Sequence, residues 1–378
     1  MNALLSDLLN IDTQNPPGHE RALCAYIEAY LKDAGCPVVV QELGSGRANI
    51  VSRIPGVRHE GALCLNGHLD TVPHGDEGWL TKPGVAVCRD GRLYARGASD
   101  MKSGLAALLY AFAAFARKGV RPDRDILFTG TADEESGGMG ARALCESGLI
   151  DDVSEILIGE PTGCALGLAA KGALWLKVCV TGRASHGAYP ERGVNAIDAA
   201  YRFADGVRAL LSGHTHALLS PATATVTGIS GGIRPNMVPD RAELVMDVRT
   251  TPDMDHGALL KSLQTLIEGM RRESENLNLT LEVLNNRMPV ETRADCRLAR
   301  NMDQCWQAVS GAPARETGLG FFSDGSIFLR HRPYDILLFG PGDSDQAHTP
   351  NESVALDAYH RATQAFERLL AREAHASA

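Results

Sequence analysis

The sequence predicts an α/β protein: a large domain on a mixed, mostly parallel sheet with helices on both faces, and a smaller ferredoxin-like α+β domain inserted into it. Three observations point that way. At 378 residues the chain is longer than one hydrophobic core usually serves, and a 44% hydrophobic composition is ample for two. Short apolar runs closed by a glycine or a polar turn alternate with stretches of helical spacing, as strands and helices packed in layers do. Over residues 172–287 the texture changes to alternating strands around two helices.

In chain order, Ala22, Leu23, Tyr26, Ile27, Tyr30 and Leu31 recur at helical spacing and stop at Gly35, which marks an opening amphipathic helix. Residues 62–66, 125–131, 155–159 and 335–340 are short, apolar and turn-bounded, as strands buried on both faces are. Helical segments near 102–118, 138–147 and 353–373 separate or flank them. The insertion reads as strands 174–181, 222–229, 242–248 and 279–284 with helices near 193–210 and 255–273, a β-α-β-β-α-β order. The expected division is a discontinuous large domain, 1–171 with 288–378, around an insert of 172–287. Only the tail from Arg372 reads as disordered.

A net charge of -9 and a pI near 5.7 exclude the basic surface of a nucleic-acid or anionic-membrane binder. No run approaches the roughly 18 apolar residues of a membrane span, and the first ten residues lack a cationic region. Nine cysteines, odd in number and without a CxxC pair, read as reduced, buried thiols of a cytoplasmic protein.

Ligands of an open α/β sheet bind beyond the carboxyl ends of its strands, so the residues just after each strand matter most. Here they are Gly67-His68-Leu69-Asp70, Asp133-Glu134-Glu135, Gly159-Glu160 and a loop holding His348, while Asp100 precedes the helix at 102–118. Carboxylates gathered at one edge would repel one another and be driven to protonate without a cation among them. Two divalent ions against the carboxylates of Asp100, Glu135 and Glu160 leave a positive site able to polarise a carbonyl oxygen. Mixed nitrogen and oxygen donors suit zinc, with cobalt or manganese as alternatives.

The segments GHLDTVP (67–73), ARGASDMKSG (95–104), DEESGG (133–138), GEPT (159–162), SHGAYPERGVNAI (185–197) and AHTPNE (347–352) resemble the motifs of the M20 metallopeptidase family. That family includes acetylornithine deacetylases, succinyl-diaminopimelate desuccinylases, aminoacylases and glutamate carboxypeptidases. The match spans nearly the whole chain, and six motifs in series are specific where one would be weak. The resemblance implies that Asp100 bridges two metals, with His68 and Glu160 completing one site and Glu135 and His348 the other, and that a cis peptide follows Asp100. It makes Glu134 the general base, a choice that the opposite-facing side chains of two adjacent glutamates leave open by themselves. Asp70 would accept the other ring N–H of His68. His186 is implied as an oxyanion donor that, in dimeric relatives, reaches the other subunit's site, hence a homodimer through the insert. Asn236 and Arg249 match positions that grip a substrate carboxylate, and Ser323 and Gly325 lie in a loop that contacts substrate in relatives.

The function so implied is hydrolysis of the amide bond of a small N-acyl amino acid, with a dipeptidase or glutamate-carboxypeptidase-type exopeptidase as the alternative. Ser323-Asp324-Gly325 resembles the desuccinylases and Asp345-Gln346-Ala347-His348 the acetylornithine deacetylases, so the acyl group stays open. Plainer readings exist: a hydrogen-bonded structural His68, a helix cap at Asp100, a solvated acidic turn at 133–135, loop residues at Glu160, His348 and His186, and an ordinary ion pair or turn at Arg249 and Asn236. A catalytically silent binding protein would be expected to have lost Glu134 or a ligand, and none is lost. A nucleotide-binding protein needs a glycine-rich loop directly after a strand, and Gly137-Gly138 and Gly231-Gly232 lack its spacing.

Overall fold

The structure, a computed structural model, describes residues 1–75 and 77–375. The chain divides into two compact units, Met1–Leu168 with Glu291–Thr317 and Ser323–Ala378, and Ala169–Val290 with Gly318–Phe322.

The first stretch of the large unit holds α1 (Asn2–Asn10), α2 (Glu20–Asp33), β1 (Val38–Gly44), β2 (Arg47–Ile54), β3 (Arg58–His68), β4 (Val87–Arg89), β5 (Arg92–Tyr94), α3 (Lys102–Arg117), β6 (Arg124–Thr131), α4 (Met139–Glu146), β7 (Val153–Ile158) and β8 (Leu166–Ala170). The insert follows as β9 (Gly172–Thr181), α5 (Ala196–Leu211), β10 (Thr223–Gly231), β11 (Arg241–Thr250), α6 (His256–Arg272) and β12 (Asn278–Arg287). The chain returns through β13 (Val290–Glu291), α7 (Arg297–Ser310), β14 (Glu316–Leu319), α8 (Gly325–His331), β15 (Asp335–Leu338), β16 (Ser353–Ala355) and α9 (Leu356–Arg372).

Among the described residues the main sheet has the order β1-β2-β6-β3-β7-β15-β8-β13, with β14 also paired to β8. At its centre β3 runs parallel to β6 and β7, and β15 parallel to β7; the β1–β2, β2–β6 and β15–β8 pairs are antiparallel. All of β6 and the second half of β3 are buried, so their apolar residues run on without alternation, as helices on both faces require. Helix α3 is buried around most of its circumference, which its Leu/Ala/Phe composition permits. It also seats close to the backbone: a Cβ at Gly104 would lie 1.8 Å from the carbonyl oxygen of Gly159, so the glycine lets α3 press on the segment that leads into Glu160.

In the small unit the sheet order is β10-β11-β9-β12 with every neighbouring pair antiparallel. Phe203 and Val207 of α5 and Leu263 and Ile267 of α6 join one core with Leu174, Val178, Leu244 and Met246. Burial alternates along β11, the pattern of a sheet covered on one face. The β-α-β-β-α-β order therefore closes as the ferredoxin-like arrangement that the sequence predicts.

Several ends differ from expectation, each for a local reason. The helix foreseen from residue 353 starts at Leu356, because Ser353–Ala355 pair with β5. Past Arg372, where disorder is expected, Glu373 is buried in an ion pair with Arg124; residues 376–378 lie outside the described part. All nine cysteines are free, but Cys88 and Cys179 are exposed rather than buried.

Candidate active site

Because β3, β6, β7 and β15 run parallel, their carboxyl ends open on one edge of the sheet. His68, the last residue of β3, stands opposite Thr131, the last of β6, and Asn66 opposite Ile158, the last of β7. From there the chain passes directly into Asp70, into Asp133-Glu134-Glu135 and into Glu160.

His68, Asp100 and Glu135 bring ligand atoms to within 4.8 Å of one another. His68 Nε2 is 3.0 Å from Asp100 Oδ1, while His348 Nε2 is 3.4 Å from Asp100 Oδ2 and 3.0 Å from Glu135 Oε2. One carboxylate thus lies between two imidazoles that reach it from β3 and from the loop after β15. Glu134 and Glu160 are buried beside this group, whereas His348 is half-exposed. The Asp100-Met101 peptide is cis. Its loop is gathered onto a single buried carboxylate: Glu352 accepts the N–H groups of Gly97, Ser99 and Asp100 at 3.1, 2.8 and 2.9 Å and the Arg96 guanidinium at 2.6 Å.

Asp70 makes a different contact from the one expected of it. His68 Nδ1 is 2.9 Å from the backbone oxygen of Asp70, and the carboxylate comes no closer than 3.8 Å. That carboxylate is taken instead by the N–H groups of Glu134 and Glu135, at 3.1 and 3.2 Å, and by Asn15 Nδ2 at 2.8 Å. Asp70 holds the imidazole with its carbonyl and the glutamate pair with its side chain.

Burial, reinforced by Asp324, Glu160 and Glu135 and only partly offset by His68, holds the Glu134 carboxyl well above the usual carboxylate range. Burial and then Asp100 do the same to Glu160 and, less strongly, to Glu135. Asp100 goes the other way: burial raises it, but hydrogen bonds from His348 and His68 prevail and hold it low. The same contacts, with Asp100 foremost, raise His348 to about 10; His68 is held above its usual value although burial opposes this. The charges acting most strongly on these carboxyls are one another, Asp324 and two imidazoles. Buried acids with nitrogen and oxygen donors and so little positive charge fit divalent cations.

Ser323 and Gly325 are buried, and Ser323 Oγ accepts the Gly325 N–H at 3.3 Å. The acid of that loop, Asp324, enters the sequence reading only as part of the Ser-Asp-Gly motif, with no role of its own. It is buried, takes a 2.6 Å hydrogen bond from Thr131 at the end of β6, and its charge falls on Glu134 and Glu160. Its place in a Ser-Asp-Gly helix start was the available signal.

In the small unit His186 and Asn236 are exposed and neighbouring: Gly187 N–H donates to the Asn236 carbonyl at 2.7 Å across a long stretch of sequence. Arg249 is half-buried, forks onto Asp247 at 2.9–3.1 Å and stacks on Phe322 with its guanidinium 5.5 Å from the ring centre.

Imidazoles and carboxylates at the strand ends of a mixed α/β sheet, joined to an inserted α+β domain, define a metal-dependent hydrolase of the amidohydrolase and peptidase class. The chain belongs to peptidase family M20/M25/M40, whose model matches residues 64–372. It is 30% identical over 379 residues to a Staphylococcus aureus protein described as a probable succinyl-diaminopimelate desuccinylase, covering 92% of this chain and 93% of that one. Its fold is shared with aminopeptidase PepT from Bacillus cereus (TM-score 0.77, 20% identity, 97% and 96% of the two chains) and with an M20 family metallo-carboxypeptidase from Sulfolobus solfataricus (TM-score 0.77, 19% identity, 98% of each). Among the described residues no helix is long and apolar enough to cross a membrane.

Proposed function

We propose that the protein hydrolyses the amide bond of a small N-acyl amino acid with Glu134 as general base. The observation that carries this reading is the setting of Glu134: it is buried beside the His68–Asp100–Glu135 cluster, with its carboxyl raised above the usual range and its backbone tied to Asp70. Two divalent cations, zinc by donor type with cobalt or manganese as alternatives, would be held by His68 and Glu160 on one side of Asp100 and by Glu135 and His348 on the other, and would supply the positive charge that acidifies a water and polarises the scissile carbonyl. Glu134 takes the proton of that water and passes it to the leaving nitrogen. The Asp70 carbonyl fixes the tautomer of His68 and leaves Nε2 to face Asp100.

In the small unit His186 serves as a donor to the developing oxyanion. Asn236 and the planar fork of Arg249 take the substrate carboxylate. The active form is a homodimer joined through the insert, in which His186 serves the partner's site, and the free cysteines suit a cytoplasmic location. The desuccinylase description of the S. aureus relative favours an N-acyl amino acid. The peptidase neighbours keep a dipeptide or a C-terminal residue as the second reading.

The test is metal content together with hydrolysis rate for wild type and Glu134→Ala, against N-acetyl, N-succinyl and dipeptide substrates. Wild type should hold one to two metal ions per chain and turn over at least one substrate class, while the variant keeps its metal and loses about 10²–10⁴ in rate. Absent metal, or a variant as active as wild type, overturns the mechanism.

A further inference from the structure

We infer that Arg47 and Asn15, outside the cation cluster and remote from it in sequence, are positioning residues that hold the Asp133-Glu134-Glu135 turn in register for catalysis. The inference rests on the assignment of Glu134 as general base.

The turn begins with Asp133 at φ 68°, the left-handed region that aspartate enters with the help of hydrogen bonds to its short side chain. Its carboxylate supplies that support from both oxygens. Oδ1 accepts Arg47 Nη1 at 2.8 Å and Asn15 Nδ2 at 3.0 Å, and Oδ2 accepts the N–H of Met139 at 3.1 Å. Asn15 Nδ2 also reaches Asp70 Oδ2 at 2.8 Å, and Asp70 in turn holds the N–H groups of Glu134 and Glu135. Arg47 therefore acts on the base by two routes, directly through Asp133 and through Asn15 and Asp70.

The guanidinium is itself fixed. Nη2 donates to Asn15 Oδ1 at 2.6 Å and to the Pro17 carbonyl at 2.8 Å, and Nη1 lies 3.2 Å from Glu20 Oε1, which also takes the Asp133 N–H at 3.3 Å. Gly18, at φ +83°, makes room for it, since a Cβ there would lie 2.5 Å from Arg47 Cζ. The segment carrying Asn15 is docked in its turn: Asn15 N–H donates to the Thr71 carbonyl at 2.8 Å, and Thr13 Oγ1 to the Leu69 carbonyl at 2.7 Å. Glu20, Asn15, Asp70 and Asp133 are all buried, and the Arg47 side chain is 12% exposed.

In so dry a place the loss of the guanidinium leaves the Asp133 and Glu20 carboxyls without the cation between them, and the left-handed turn loses its charged tie, keeping Asn15 Nδ2 and the Met139 N–H. Glu134 and Glu135 follow within two residues. A shift of about 1 Å in a reacting group can cost about a hundredfold in rate, while the substrate-binding residues, which this network does not touch, are unaffected.

The experiment compares Arg47→Met, Asn15→Ala, Arg47→Lys and Glu134→Ala with wild type as zinc-loaded, full-length enzymes. It reads kcat and KM separately on the best substrate of the panel, and metal content by elemental analysis. Arg47→Met and Asn15→Ala are expected to lose about a hundredfold in kcat with KM within about twofold and metal content at the wild-type level. Arg47→Lys should recover about tenfold of that loss, because an ammonium restores the charge but not the two-directional fork. Wild-type kcat in either Arg47→Met or Asn15→Ala, with Glu134→Ala inactive, overturns the positioning role alone. So does a parallel fall of kcat, KM quality and metal content, which would mark a general packing role. If Arg47→Met does not fold, Asn15→Ala decides by the same criteria. Activity in Glu134→Ala overturns the general-base reading and this inference with it.

Discussion

His68 ends a strand and His186 follows one, yet they are held in opposite ways. His68 is buried, with one ring nitrogen on the Asp70 carbonyl and the other on Asp100. His186 is exposed, and its Nδ1 accepts the N–H of Ala188 two residues on. The contrast extends to their neighbours. At the sheet edge, Asp100, Glu134, Glu160 and Asp324 are buried, and hydrogen bonds from distant segments brace Asp100, Glu134 and Asp324, the Glu352–Asp100 contact spanning 252 residues. In the small unit, Asn236 sits on an exposed turn. A buried, hydrogen-bonded cluster is already fixed before the reaction begins. Groups that recognise a substrate or a second subunit can wait on a surface until that partner arrives.

The largest effect is expected where the bracing converges. Asp100 touches both His68 and His348, so Asp100→Ala should release metal from the whole cluster and reduce turnover to background. Elemental analysis after dialysis, run beside the hydrolysis assay, checks this. A variant that keeps its metals and its rate would mean that the two imidazoles do not share a cation-binding group.

His186→Ala should cost about 10²–10³ in kcat with metal content unchanged, the usual toll of an oxyanion donor. If the histidine serves the partner's site, mixing inactive His186→Ala with inactive Glu134→Ala and allowing subunits to exchange should regenerate one intact site per mixed dimer, about a quarter of wild-type activity. A mixture as inactive as its components would place His186 in its own chain's site or outside the chemistry.

Removing the metal should expose the electrostatics of the sheet edge. The carboxyls of Glu134, Glu135 and Glu160 titrate higher in the folded chain than unfolded. Above the ordinary carboxylate range the folded state then holds more protons, and metal-free stability falls as pH rises. His348 acts in the same direction: raised from 6.5 to about 10, its contribution is complete below 6.5 and fades as pH climbs toward 10. Cations bind the deprotonated ligands and reverse the trend. The melting temperature of chelator-treated protein should therefore drop increasingly below that of zinc-loaded protein between about pH 5 and 9. A gap that is constant with pH would show that these groups do not hold the metal.

The sheet edge was legible in the sequence because its residues stand beside apolar strands: His68, Glu135 and Glu160 each lie within four residues of a strand end, so a period read locally places them globally. What stayed hidden depends on contacts without local pattern. Asn15 and Arg47 reach Asp133 across 118 and 86 residues. Whether Asp70 offers its carbonyl or its carboxylate to His68 depends on where its side chain is drawn, here toward Glu134, Glu135 and Asn15. The β1–β2 hairpin was missed although Val38-Val39-Val40 are strand formers, because β1 is nowhere fully buried and its apolar residues do not alternate with polar ones. Its two-residue loop, Ser45-Gly46, has both residues at positive φ, as a tight hairpin requires. Helix α7 buries only Leu298, Ala299, Met302 and Cys305 in fourteen positions, too thin a stripe to stand out.

The smallest effect separates the stability of the small unit from the chemistry of the large one. Asn195 caps α5, its side chain accepting the N–H groups of Ile197 and Asp198 at 3.0 and 3.3 Å, and α5 lays Phe203 and Val207 into the core of that unit. Asn195→Ala should cost about 1 kcal/mol, read as an earlier urea midpoint at unchanged slope. Metal content should not move, because the cation cluster lies on other elements. kcat should also hold, because the turn bearing His186 is tied to Asn236 and to Val238 by backbone hydrogen bonds that the cap does not share. A fall in kcat out of proportion to the lost stability would show that the cap of α5 orders the His186 turn, and the surface loops of the small unit would then be as preorganised as the sheet edge.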